Sequence, residues 1–121
     1  MIICLNKHKN GEKNKRTSQH NRILKQISSG LKYLGWEVKH IYNAGIYDRR
    51  KNIYRKFTGS RGICDLQCFK SGCKPLFIEV KTADNNKLTP DQAAYLKLVN
   101  STGHITGIVA KSFDDVEKEI K

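Results

Sequence analysis

Two short apolar runs, residues 63–69 (ICDLQCF) and 75–81 (PLFIEVK), are separated by only the five residues KSGCK. Runs of this length around a short glycine-containing link pair as an antiparallel hairpin, and that hairpin limits what the rest of the chain can build. Side chains alternate between the two faces of a strand. Leu76, Ile78 and Val80 therefore share one face, and Phe77, Glu79 and Lys81 the other. In the first run Cys64, Leu66 and Cys68 lie opposite Ile63, Asp65 and Gln67. Asp65 and Glu79 each stand seven residues from Gly72, so a turn centred on that glycine sets the two acids directly across from one another. Facing residues have Cβ atoms about 4.5–5.5 Å apart, where like charges repel.

That repulsion admits two readings. In one, Glu79 and Lys81 form the solvent-facing half of an edge strand, and a one-residue shift in the turn parts the acids. In the other, a hard divalent cation answers the repulsion, since Mg²⁺ is commonly held by one or two carboxylates with waters and substrate phosphate completing the shell. Lys81, one pleat along on the same face, would then hold the attacking water or offset the negative charge that builds on a phosphate. Such components make a phosphodiester-cleaving site.

The flanking sequence supplies the other elements. Ile23, Leu24, Ile27, Leu31 and Leu34 recur at helical spacing, predicting a helix that starts with Ser18 as N-cap and ends near Gly35. WEVKHIY (36–42) alternates as a half-buried strand does, and NAGIYDRRKNIYRKFTGSR (43–61) reads as a loop or loose hairpin turning near Lys51 and Asn52. After the central hairpin, Thr89, Pro90 and Gln92 are spaced as N-cap, first helical residue and capping-box partner of a helix running to Gly103. HITGIVA (104–110) is strand-like, and Ser112 caps a last helix over 113–120, with Asp114 and Asp115 in its first turn. The predicted class is α/β: helix, three strands, helix, strand, helix, with a mixed sheet in which the crossover helix brings strand 104–110 in parallel.

With 121 residues and no Pro-rich or Ser-rich linker, one domain is expected, residues 18–121, preceded by a basic arm over 1–17. No apolar stretch is long enough for a membrane span. The opening MIICL is apolar for only five residues before Asn6 and Lys7, without the middle region of a secretory signal, so a cytoplasmic location is expected. Charge is distributed very unevenly. Residues 1–61 hold 15 basic and 3 acidic side chains and residues 62–121 hold 8 of each, so the whole net charge of +12 belongs to the first half. Either this is a solubilising lysine-rich surface or it attracts polyanions, with phosphate backbones the usual ones. Tyr42, Tyr47, Tyr54 and Phe57, interleaved with the charges and able to stack on bases, favour nucleic acid. Cys4, Cys64, Cys68 and Cys73 lack the tight paired spacing of zinc ribbons and read as small buried or edge residues.

Asp65, thirteen intervening residues and then Glu79-Val80-Lys81 resemble the Asp, spacer, Glu-x-Lys signature of the PD-(D/E)XK nuclease superfamily. The likeness extends through YDRRKNIYRKF, GICD, FIEVKTADNNKLTPDQAAYL and GHITGIVAKSFDDVEKEI, which in order resemble the blocks of the virus-type replication-repair nuclease (VRR-NUC) domain in its stand-alone phage or bacterial form, over roughly residues 18–120. The resemblance implies a restriction-endonuclease-like α-β-β-β-α-β core and a metal-dependent DNA endonuclease, structure-selective for branched, flap or junction DNA in replication, repair or recombination. It further implies a homodimer like the Holliday-junction resolvases, and neither a membrane nor an organic cofactor. By the same resemblance Asp65, Glu79 and the Val80 carbonyl hold Mg²⁺ or Mn²⁺, Lys81 positions and activates the water, and Gln92 joins the catalytic set alongside its capping role. Arg49, Arg50, Lys51, Arg55, Lys56 and Arg61 are the expected DNA contacts. The chain departs from the pattern in two places. Cys64 stands where Pro is usual, and the first helix carries no acid between Lys13 and Gly35, leaving Gln19 or His20 near the position of a metal-reaching Glu. The alternative from another class is a nucleic-acid-binding protein that keeps the fold without catalysis.

Overall fold

The computed structural model describes residues 15–41, 46–55 and 62–121. Helix α1 (Lys15–Tyr33) is followed by β1 (Glu37–His40), a small hairpin of β2 (Ile46–Asp48) and β3 (Ile53–Arg55), then β4 (Leu66–Phe69) and β5 (Leu76–Val80). Helix α2 (Pro90–Ser101), strand β6 (Thr106–Ala110) and helix α3 (Phe113–Ile120) complete the chain. The main sheet has the order β1-β4-β5-β6, antiparallel from β1 to β5 and parallel between β5 and β6, as the crossover through α2 requires. The expected mixed α/β core is present, with the β2–β3 hairpin as a separate two-stranded sheet.

The alternation read from the sequence decides the layers. Leu66, Cys68, Leu76, Ile78 and Val80 are all buried on one face. They form the core with Leu24, Ile27 and Leu31 of α1, Ala110 of β6 and Val116 of α3. Helices α1 and α3 pack against each other on this face, close enough that a methyl group on Gly30 would meet the Phe113 ring at 2.4 Å. Helix α2 covers the other face over β6: Leu96 and Val99 are buried, and a Cβ at Gly107 would lie 3.0 Å from Leu96. Asn100 fastens that contact by donating to the Gly107 carbonyl (3.0 Å) and accepting from its N–H (2.8 Å).

The ends of the elements follow local chemistry. Helix α1 stops where Gly35, at φ +92°, closes the turn: the Trp36 N–H reaches the Leu31 carbonyl (2.9 Å) and the Gly35 N–H that of Lys32 (3.0 Å). Leu34 consequently falls outside the helix and is 38% exposed, so it does not extend the apolar face as its spacing predicted. The helix starts at Lys15, placing Ser18 inside it and not at its cap. Lys and Arg propagate a helix well, and the Lys-Arg pair ahead of the serine carries it further back than a cap-based reading allows. The 43–61 segment is a hairpin over its described part, with Asn52 at φ 53° in the turn, a conformation asparagine tolerates. Residues 1–14, which hold most of the expected basic arm, lie outside the described residues, as do 42–45 and 56–61. Among the described residues no helix is long and apolar enough to cross a membrane.

Candidate active site

The central hairpin has the register inferred from Gly72: Leu66 pairs with Ile78, Gln67 with Phe77 and Cys68 with Leu76. Continuing it by one residue brings Asp65 level with Glu79. Strand β4 has not yet begun at Asp65, so the β5 backbone there is free to take a side chain. The Val80 N–H donates to Asp65 Oδ2 at 2.8 Å. The Asp65 carbonyl in turn accepts from the Ile41 N–H (2.8 Å), which ties the acid to the end of β1.

Glu79 is the most constrained group of the site. Only 3% of it is exposed. Its Oε2 accepts from Gln92 Nε2 (3.3 Å) and lies 4.0 Å from Lys81 Nζ, while Oε1 is buried without a hydrogen-bond partner. Burial pushes the Glu79 carboxyl up to about 8; the charge and the close side chain of Asp65 add to this, and Lys81 opposes it. The neighbouring acid thus adds to burial in opposing a charge on Glu79, and the Lys81 ammonium offsets only part of that. Cys64, buried behind them, is pushed up to about 12 by burial first and then by Glu79 and Asp65, which makes it an inert thiol.

Gln92 organises the remaining polar groups. Thr89 caps α2 by accepting from the Gln92 N–H (3.1 Å), and Gln92 Oε1 accepts from the Thr89 N–H (3.0 Å), completing the box predicted from the sequence. The same Oε1 accepts from Lys81 Nζ at 2.9 Å. With the oxygen committed to the cap and the ammonium, the amide nitrogen is directed at Glu79. Gln92 thus completes the cap of α2 and, with the same amide, contacts both Glu79 and Lys81. Lys81 itself is buried, 6% exposed, with its backbone N–H on the Ala110 carbonyl (2.9 Å).

Of Gln19 and His20, it is His20 that reaches this cluster, with Nε2 3.6 Å from Asp65 Oδ2. Arg49, Arg50 and Lys51 are exposed at the β2–β3 turn, and Arg55 belongs to β3. Lys56 and Arg61 lie outside the described residues. Cys68 is buried on the core face of β4 and Cys73 is exposed, both as free thiols; Cys4 lies outside the described residues.

Two neighbours of the site escaped the sequence reading. Tyr95 accepts from Gln67 Nε2 at 3.5 Å, and its hydroxyl is raised by burial, then by Cys64, with the Gln67 bond opposing. Its position three residues after Gln92, on the same helical face, was the available signal. Gly62, at φ +76°, packs so tightly on the first turn of α2 that a Cβ would come within 2.4 Å of the Asp91 backbone. No pattern of side chains could have revealed that approach.

Among solved structures, the chain matches one described as a "VRR_NUC domain", with a TM-score of 0.62 and 24% identity over 84% of this chain and 94% of that one. No family model matches the sequence, and no curated protein matches it. The chain has the fold of a VRR_NUC domain, with the mixed sheet and flanking helices of restriction-endonuclease-like proteins.

Proposed function

We propose that this protein is a divalent-metal-dependent endonuclease that hydrolyses phosphodiester bonds in DNA. The observation that carries the reading is Glu79: a buried carboxylate set against Asp65, with one oxygen clamped by Gln92 and the other lacking any hydrogen-bond partner. Burying a carboxylate without satisfying both oxygens costs stability, and a cation between the acids removes that cost. The donor set fits a hard ion. Asp65 and Glu79, with the carbonyl of Val80, would hold Mg²⁺ or Mn²⁺, in keeping with the oxygen preference of both. Such an ion supplies charge neutralisation at the phosphate and a more acidic water.

The protein groups do the rest. An ammonium has three donors, and Gln92 takes one of those on Lys81, leaving two to hold the attacking water or a phosphate oxygen. Lys81 lies closer to Gln92 Oε1, at 2.9 Å, than to Glu79 Oε2, at 4.0 Å. Attack in line on phosphorus would leave a 5′ phosphate and a 3′ hydroxyl. The basic side chains at the β2–β3 turn track the backbone of the substrate, and a homodimer carrying two such sites would act on branched, flap or junction DNA.

The test is cleavage of labelled duplex, flap and four-way-junction DNA in Mg²⁺ and in Mn²⁺, with Asp65→Asn and Glu79→Gln alongside. Cutting by the wild type and its loss in both variants, with DNA binding kept, is expected. If all three proteins bind DNA equally and none cuts, the nuclease reading is wrong and the fold serves binding alone.

A further inference from the structure

No acid on α1 faces the carboxylate pair, and an imidazole stands there instead. His20 and Asp65 are each partly shielded, with side chains 35% and 24% exposed, and His20 Nε2 lies 3.6 Å from Asp65 Oδ2. Two adjacent donors on one octahedral ion, with bonds of about 2.1 Å, stand about 3 Å apart. The observed separation is about 0.6 Å longer than shared ligation needs, by that same geometry. Among the described residues no three His, Cys, Asp or Glu side chains are already grouped to hold an ion, so His20 has to move toward Asp65 before the two can share one. Asp65 is the anchored partner: the Val80 N–H and the Ile41 N–H fix its side chain and its backbone.

We infer that His20 is a ligand of the ion held by Asp65 and Glu79, and that it moves the site's choice from Mg²⁺ toward a divalent transition ion such as Mn²⁺. The inference rests on the metal site proposed above. Imidazole suits the later first-row transition ions best; Mn²⁺, at the weak end of that series, still favours oxygen but accepts a nitrogen donor more readily than Mg²⁺, which keeps oxygen ligands and water. A Glu at the same place would supply a third hard oxygen and leave Mg²⁺ the preferred ion. A nitrogen donor on α1 therefore biases the choice of ion from outside the strands that carry the two acids.

Electron paramagnetic resonance of bound Mn²⁺ reads this directly. Wild type, His20→Ala, His20→Glu and Asp65→Asn are titrated with Mn²⁺ and then with competing Mg²⁺, fluorescence of the buried Trp36 confirming that each variant is folded. The expected result is ¹⁴N modulation from one imidazole in the wild type, absent in both His20 variants. The ratio of Mn²⁺ to Mg²⁺ affinity should fall about tenfold or more in His20→Ala, a loss at least as large as that from removing a ligand's supporting partner, and should favour Mg²⁺ further in His20→Glu. If wild-type Mn²⁺ shows no nitrogen modulation, or His20→Ala keeps the ratio, while Asp65→Asn abolishes binding, His20 is not a ligand and the two-carboxylate site stands. If the wild type binds no Mn²⁺ at all, both proposals fall.

Discussion

Replacing Glu79 by Gln should make the protein inactive and remove a loss of stability that the wild type suffers as pH rises. In the folded protein the Glu79 carboxyl is raised from 4.5 to about 8, chiefly by burial. Its folded state therefore holds a proton that the unfolded chain gives up between those values. Where the native state binds more protons, stability falls as pH rises, so the contribution of this group is complete below about pH 4.5 and is lost as pH climbs through 8. Each pKa unit is worth about 1.4 kcal/mol. Integrated from pH 5 to pH 8.5 this gives a ceiling of about 4 kcal/mol, and water entering the ionised site reduces it toward about 2 kcal/mol. The amide of the Glu79→Gln variant titrates nowhere in that range, so any fixed difference between Glu and Gln cancels when the two pH profiles are compared. Urea unfolding in chelator, followed through the single tryptophan, Trp36, is the assay. With a slope of about 1–3 kcal/mol per molar urea, the wild-type midpoint should fall relative to that of the variant by about 1–4 M between pH 5 and 8.5. Parallel profiles would refute the reasoning, because they would mean that Glu79 is no more costly to ionise in the fold than in water.

Other perturbations test the remaining contacts. Mn²⁺ at about one hundred times its dissociation constant should raise wild-type stability by about 2.7 kcal/mol and leave Glu79→Gln unchanged, which calorimetry would register as a shift in Tm. Lys81→Met keeps the buried stem and removes the donors; single-turnover cleavage should drop about 10²–10³-fold with DNA affinity little altered. Gly30→Ala, which in an exposed helix stabilises by about 0.5–1 kcal/mol, should here destabilise, since its methyl group meets the Phe113 ring; a rise in Tm would show that α1 and α3 are more loosely packed than described. Asn100→Ala leaves the N–H and the carbonyl of Gly107 to water in place of their side-chain partner and should cost about 0.5–1.5 kcal/mol in denaturant melts.

The central hairpin is legible from sequence because alternation and a single glycine fix its register, and a one-residue slip would move every core side chain to the wrong face. The α2 cap is legible for a similar reason: Thr89, Pro90 and Gln92 are local signals acting over three residues. What the sequence withholds is contact between distant segments. Nothing in the pattern around His20 distinguishes it from Gln19, and only the path of α1 past Asp65 makes the choice. A start at Ser18 misplaces α1 by about a turn because that serine is a credible cap in isolation, and the helix-forming residues ahead of it outweigh its preference.

The capping box on α2 has a consequence for which residues position 92 can accept. Glu and Gln serve equally well as the third residue of such a box, and judged by the helix alone the two are interchangeable. Here the side chain also faces Glu79, and a carboxylate in its place would set a third acid against a group that already resists ionisation. A shorter or apolar residue would release both the helix start and Lys81. Capping the helix and holding Lys81 and Glu79 in place therefore fall to one amide, and only a neutral side chain that both donates and accepts does both at once.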